Sequence, residues 1–146
     1  MVQIAELYSS LQGEGRLAGT PSVFVRTSGC NLRCTWCDTP FTSWKPTGTN
    51  RTVGDLVEEI LSHRLKHVVI TGGEPLLASD INVLCNTLQH EGQHITIETA
   101  ATLIPDKGLP TANLMSLSPK LRSSTPNSET GWEQRHEKRR RRDDII

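Results

Sequence analysis

The chain has 146 residues, room for one domain around one core. Its 16 Lys and Arg balance its 16 Asp and Glu, so the net charge of zero offers no reason to expect nucleic acid or membrane as a partner. No apolar run approaches the length of a bilayer span, and no charged start leads into an apolar stretch, so neither a membrane anchor nor a signal peptide is expected.

The first segment, Val2 to Tyr8, alternates and predicts a strand; Ser22 to Thr27 predicts a second. A cysteine-bearing loop follows, and Pro40, Pro46 and Gly48 mark irregular chain after it. Thr52 with Asp55 three residues on resembles a capping box, and Val53, Leu56, Val57, Ile60 and Leu61 then recur at helical spacing. His67 to Thr71 is a short strand of the buried parallel kind. Ile81, Leu84, Cys85 and Leu88 form a second helical stripe, closed by Gly92. His94 to Glu98 and Asn113 to Ser118 complete a count of five strands. Strands alternating with helices imply βα units and a parallel sheet, open or rolled into a barrel. From residue 123 to 146 a polar, basic tail is expected. Its run Lys138 to Arg142 reads as a solvated helix face rather than an RNA patch, because Asp143 and Asp144 follow at once.

The chemistry concentrates in Cys30-Asn31-Leu32-Arg33-Cys34-Thr35-Trp36-Cys37, a C-x3-C-x2-C spacing. Three thiolates in one turn suit a cubane iron–sulfur cluster that keeps one iron open for a ligand. Structural zinc normally takes four protein ligands. The fourth cysteine, Cys85, lies far off in a helical stripe, and His63, His67, His90 and His94 are scattered. A disulfide framework would leave one clustered cysteine over. Clustered free thiols belong in a reducing compartment, by default the cytoplasm. In parallel βα folds ligands gather at the carboxyl ends of strands. Thr71-Gly72-Gly73-Glu74-Pro75, Glu98-Thr99 and Ser118-Pro119-Lys120 all fall at such ends. The two glycines let backbone approach a ligand closely, and Glu74 offers a carboxylate that could hold an ammonium group.

These motifs together resemble the radical S-adenosylmethionine enzymes. Within them, Ser10 to Gly15, Arg26, Cys37-Asp38-Thr39, Thr71 to Pro75 and Leu117 to Lys120 resemble the 7-carboxy-7-deazaguanine synthase family. The resemblance covers residues 3 to 122 clearly and the tail more loosely. It implies a partial TIM-like (β/α) barrel of the radical SAM type, lacking its C-terminal strand or strands, with 1–146 as one incomplete domain. It implies a 4Fe–4S cluster on Cys30, Cys34 and Cys37, with S-adenosylmethionine on its open iron. Contacts to that cofactor fall to Trp36, Cys37, Asp38, Gly73, Glu74, Ser118, Pro119 and Lys120. A pterin substrate is implied for Leu11, Gln12, Gly13, Arg26 and Thr71, with Arg26 suited to a carboxylate by its bidentate fork. Magnesium on Thr39, an electron donor of the flavodoxin or ferredoxin kind, and a homodimer complete the implied set. Ala100-Ala101 stands where the family leads one to expect a glycine-containing turn. The competing expectations are an activase that makes a glycyl radical on a partner protein, and a non-enzymatic zinc-binding module.

Overall fold

The computed structural model describes residues 1–145; the last residue of the expected tail, Ile146, lies outside them. Six strands form one sheet: β1 (Val2–Leu11), β2 (Pro21–Thr27), β3 (Thr49–Arg51), β4 (His67–Gly72), β5 (His94–Thr99) and β6 (Leu114–Leu117). Four α-helices accompany them: α1 (Pro40–Ser43), α2 (Val53–Ser62), α3 (Ile81–His90) and α4 (Glu133–Arg140). The strand order is β3-β1-β2-β4-β5-β6. From β2 to β6 the sheet is parallel, with α3 between β4 and β5, as βα units require.

Two expectations are corrected at the other edge. β1 runs antiparallel to both β2 and β3, so the sheet is mixed rather than parallel throughout. The sixth strand, β3, lies in the stretch read as irregular: three residues are too few to show a period, and Pro46 and Gly48 mask them.

Register builds the core directly. Val23 pairs with Val68 and Val68 with Ile95; Val25 pairs with Ile70 and Ile70 with Ile97. These rows share one face of the sheet and pack on Leu56 and Ile60 of α2 and Leu84 and Leu88 of α3. Thr52 caps α2 as expected, its Oγ1 accepting the Asp55 N–H at 3.1 Å. The alternate residues point the other way. Tyr8 stacks on Phe24 there, 5.4 Å between ring centres, and Arg26 pairs in register with Thr71. On the same face Glu98 pairs with Ser116.

Candidate active site

The second face of the sheet and the loops beyond the strand ends enclose a cavity of about 640 Å³. That volume falls within the range of small-molecule sites. Its floor is polar for a simple reason of period two. While odd-numbered β2 residues enter the core, Phe24 and Arg26 face the cavity, joined by Thr71 of β4, Glu98 of β5 and Ser116 of β6. Leu11, Gln12 and Gly13 enter from the end of β1, Trp36, Asp38 and Thr39 from the cysteine loop, and Ser118 and Lys120 from beyond β6.

The three cysteines lie in the loop that leaves β2, all as free thiols, with Cys34 buried and the other two part-exposed. Backbone and hydroxyl groups already address their sulfurs. The Leu32 N–H donates to Cys30 Sγ at 3.4 Å, and the Ser43 hydroxyl lies 3.2 Å from Cys37 Sγ. Burial pushes the Cys30 thiol up to about 11, and raises that of Cys34 as well. Ligation therefore means loss of protons. Cys85 sits fully buried among Ile81, Leu84 and Leu88, where burial alone pushes its thiol up to about 12. It cannot be a fourth ligand, which removes the four-thiolate zinc site. Three ligands from one loop fit a cluster with an open corner.

Gly72 and Gly73 bind this loop to β4. The Glu74 N–H donates to the Gly29 carbonyl at 2.9 Å, and the Gly73 N–H to that of Thr27 at 3.3 Å. A Cβ on Gly73 would collide with the Gly29 carbonyl oxygen and with the Cβ of Cys30. Glycine here serves the close approach of two loops, as well as any approach of a ligand.

The Glu74 carboxylate is 1% exposed and engaged by the protein. Its Oε1 accepts from Thr99 Oγ1 at 2.7 Å and the Leu76 N–H at 3.2 Å, and its Oε2 accepts from the Ala100 N–H at 3.0 Å. It fastens the turn after β5 to the glycine loop, and it stands behind the cavity wall rather than in it. In that turn Ala101 adopts a left-handed conformation, φ +54°, so an alanine makes the turn for which glycine is suited.

Arg26 is paired before any ligand arrives. Its Nε donates to Glu6 at 2.8 Å and one terminal nitrogen to Tyr8 at 3.3 Å. The partner seen is thus a carboxylate of the neighbouring strand, while the cavity borders the same guanidinium. Gln12 is buried, and its amide donates to Glu98 at 2.9 Å. Lys120 Nζ donates to Ser118 Oγ at 2.9 Å. Of the expected cofactor contacts, Cys37, Glu74 and Pro119 are not in the cavity wall. Tyr8, Phe24 and Ser116 are in it without having been singled out as site residues. Their signal was the alternation of β1, β2 and β6, read for the core and not for the face opposite.

The fold, the C-x3-C-x2-C loop and the glycine pair define a class. The chain belongs to the Radical SAM superfamily, whose family model matches residues 24–115. More narrowly, it is 55% identical over 126 residues to the 7-carboxy-7-deazaguanine synthase of Rhodopirellula baltica, covering 86% of this chain and 48% of that protein. It is 53% identical over 144 residues to the synthase of the same description from Halobacterium salinarum, covering 94% and 55%. The crystal structure of QueE from Escherichia coli matches with a TM-score of 0.69 at 33% identity, over 82% of this chain and 60% of that one. The chain spans about half the length of the curated relatives it matches.

Proposed function

We propose that this chain converts 6-carboxy-5,6,7,8-tetrahydropterin to 7-carboxy-7-deazaguanine, a ring contraction with loss of ammonia. The observation that carries the reading is the meeting of Arg26, the Gln12–Glu98 pair and Gly72-Gly73 at one cavity beside the three-cysteine loop. A 4Fe–4S cluster on Cys30, Cys34 and Cys37 would supply S-adenosylmethionine with the electron that opens radical chemistry on the substrate.

The protein's part is binding, orientation and shielding. Arg26 keeps donors beyond those given to Glu6 and Tyr8, and these suit a substrate carboxylate. The Glu98 carboxylate, steadied by the Gln12 amide, suits the N–H edge of a pterin. The glycine pair presents bare backbone to a cofactor lying over the loop. Thr39 Oγ1 stands 3.4 Å from Asp38 Oδ1, a pair of hard oxygens at the cavity edge suited to magnesium. Delivery of the electron by a flavodoxin- or ferredoxin-type protein in the cytoplasm, and a homodimeric assembly, belong to the same reading.

Anaerobic reconstitution with iron and sulfide, followed by product analysis, tests both halves. Formation of 5′-deoxyadenosine from S-adenosylmethionine reports the cofactor site; the deazapurine acid formed from the carboxypterin reports the substrate site. Cofactor cleavage that the carboxypterin leaves unchanged, with no deazapurine, would sink the substrate assignment and leave the class intact.

A further inference from the structure

The segment read as a solvated tail is docked on the cysteine loop. His136 of α4 is 0% exposed in the middle of a strongly charged helix. Its Nδ1 accepts the backbone N–H of Arg33 at 3.1 Å, and its Nε2 meets Ser124 Oγ at 2.9 Å. The Ser124 hydroxyl donates its own hydrogen to the Leu121 carbonyl at 2.6 Å, so it must accept from His136. Both bonds therefore require one tautomer, a neutral ring with its proton on Nε2.

The neighbouring contacts repeat the pattern. The Thr35 N–H donates to the Ser124 carbonyl at 2.9 Å, Trp36 Nε1 to the Ser123 carbonyl at 3.1 Å, and Arg139 to the Asn31 carbonyl at 2.9 Å. The Arg33 guanidinium lies 4.2 Å from the centre of the Trp132 ring. Between Cys30 and Cys37, successive backbone groups thus find their partners in residues 123–139. A short loop has no regular structure of its own to satisfy them, and buried backbone groups demand partners.

We propose that residues 122–142 form a clasp over the cysteine loop and that His136 is its positioning residue. By fixing the Leu32–Arg33 peptide, one residue ahead of Cys34, it holds that sulfur at its corner of the cluster and keeps water from the outer side of the loop. This rests on the cysteines holding a cluster, and not on which substrate is turned over. Groups hydrogen-bonded directly to a metal ligand change metal affinity by about 10- to 100-fold, and a group that holds the neighbouring backbone, as His136 does, acts within that range. Water admitted to the cluster stabilises its more highly charged reduced form, so loosening the clasp also raises the reduction potential.

The test uses the whole chain, reconstituted anaerobically, with His136→Phe, Ser124→Ala and His136→Asn. Three quantities are followed: loss of the cluster's visible absorbance to an iron chelator, the midpoint potential, and the thermal melt before reconstitution. The phenylalanine keeps the ring volume and removes both hydrogen bonds. It is expected to speed cluster loss by up to about tenfold and to raise the potential. Asparagine, whose Oδ1 replaces the acceptor Nδ1, recovers part of both. Ser124→Ala removes the partner of Nε2 together with the serine's own bond to the Leu121 carbonyl, and decides the matter if the phenylalanine variant does not fold. Wild-type loss rates and potentials in the variants that fold would overturn the clasp. Failure of the unaltered chain to take up any cluster would overturn the cysteine assignment, and the clasp with it.

Discussion

The rows Val23–Val68–Ile95 and Val25–Ile70–Ile97 are held by shape and the exclusion of water, whereas the loop from Cys30 to Cys37 is held by hydrogen bonds from other segments. Each fully buried Val or Ile contributes about 1.5–3 kcal/mol, and many are replicated across β2, β4 and β5. Each net hydrogen bond contributes about 1 kcal/mol, and the loop has only a few. The difference teaches that the scaffold and the metal loop can be damaged separately. The scaffold is redundant; the loop depends on single contacts.

The largest effect tests that separation directly. Cys30→Ala, Cys34→Ala and Cys37→Ala are each expected to abolish the cluster while barely moving the melt of the metal-free protein. Cys85→Ala keeps full iron and lowers stability by about 1–2 kcal/mol through the small cavity it leaves in the core. Iron per chain and a thermal melt of each purified variant check it; equal iron in all four would refute the ligand set.

Gly73→Val sharpens the boundary. Blocking S-adenosylmethionine by bulk while sparing the cluster is the simple expectation for a ligand-facing glycine. The position of Gly73 against Gly29 and Cys30 makes the outcome harsher: cofactor binding is lost and iron content falls as well. Calorimetric titration alongside iron analysis separates the two, and full iron retention would show that the loop yields. On the scaffold side, Ile70→Ala should remove about 3 kcal/mol in denaturant unfolding. If iron loading stays complete below the transition, the two regions are independent; a parallel fall in iron would join them.

Arg26→Lys has a smaller, local effect. Lysine keeps the charge but loses the fork, so KM for the carboxypterin should rise several-fold with S-adenosylmethionine affinity unchanged. An unaltered KM would leave Arg26 as the partner of Glu6 and Tyr8 alone. Smallest is Ala101→Gly. Relief of the left-handed backbone outweighs the extra freedom of glycine in the unfolded chain, for a net gain of about 0.5 kcal/mol in denaturant unfolding. A loss of stability would mean that the packing of the buried alanine methyl matters more than its φ.

What could be read in advance divides along the same line. α2 and α3 were legible because their burial follows a period, β4 because it is a short, continuously apolar run, and Thr52 because a cap is a local event. The cysteine loop, Arg26 and the glycine pair were legible as motifs, whose residue types are dictated by chemistry. Partners were not. Glu74 looked free to take an ammonium, since nothing local announces Thr99 and Ala100 as its donors. α4 looked solvated, because charged side chains from Glu133 to Arg140 dominate its composition while only His136 turns fully inward. The one available hint was Trp132 four residues before His136, an apolar ring and a neutral ring on one helical face.

The bond from Arg33 to His136 joins positions 103 apart in the chain. Contacts of such long sequence separation form late, because loop closure must precede any reward from the contact. A chain emerging N-terminus first can assemble β1, β2, β4 and β5 while the cysteine loop still lacks its distant partners. Maturation thus has a built-in order: the thiols are made early, remain uncovered during synthesis of the next hundred residues, and reach their final enclosure only when α4 has emerged and docked.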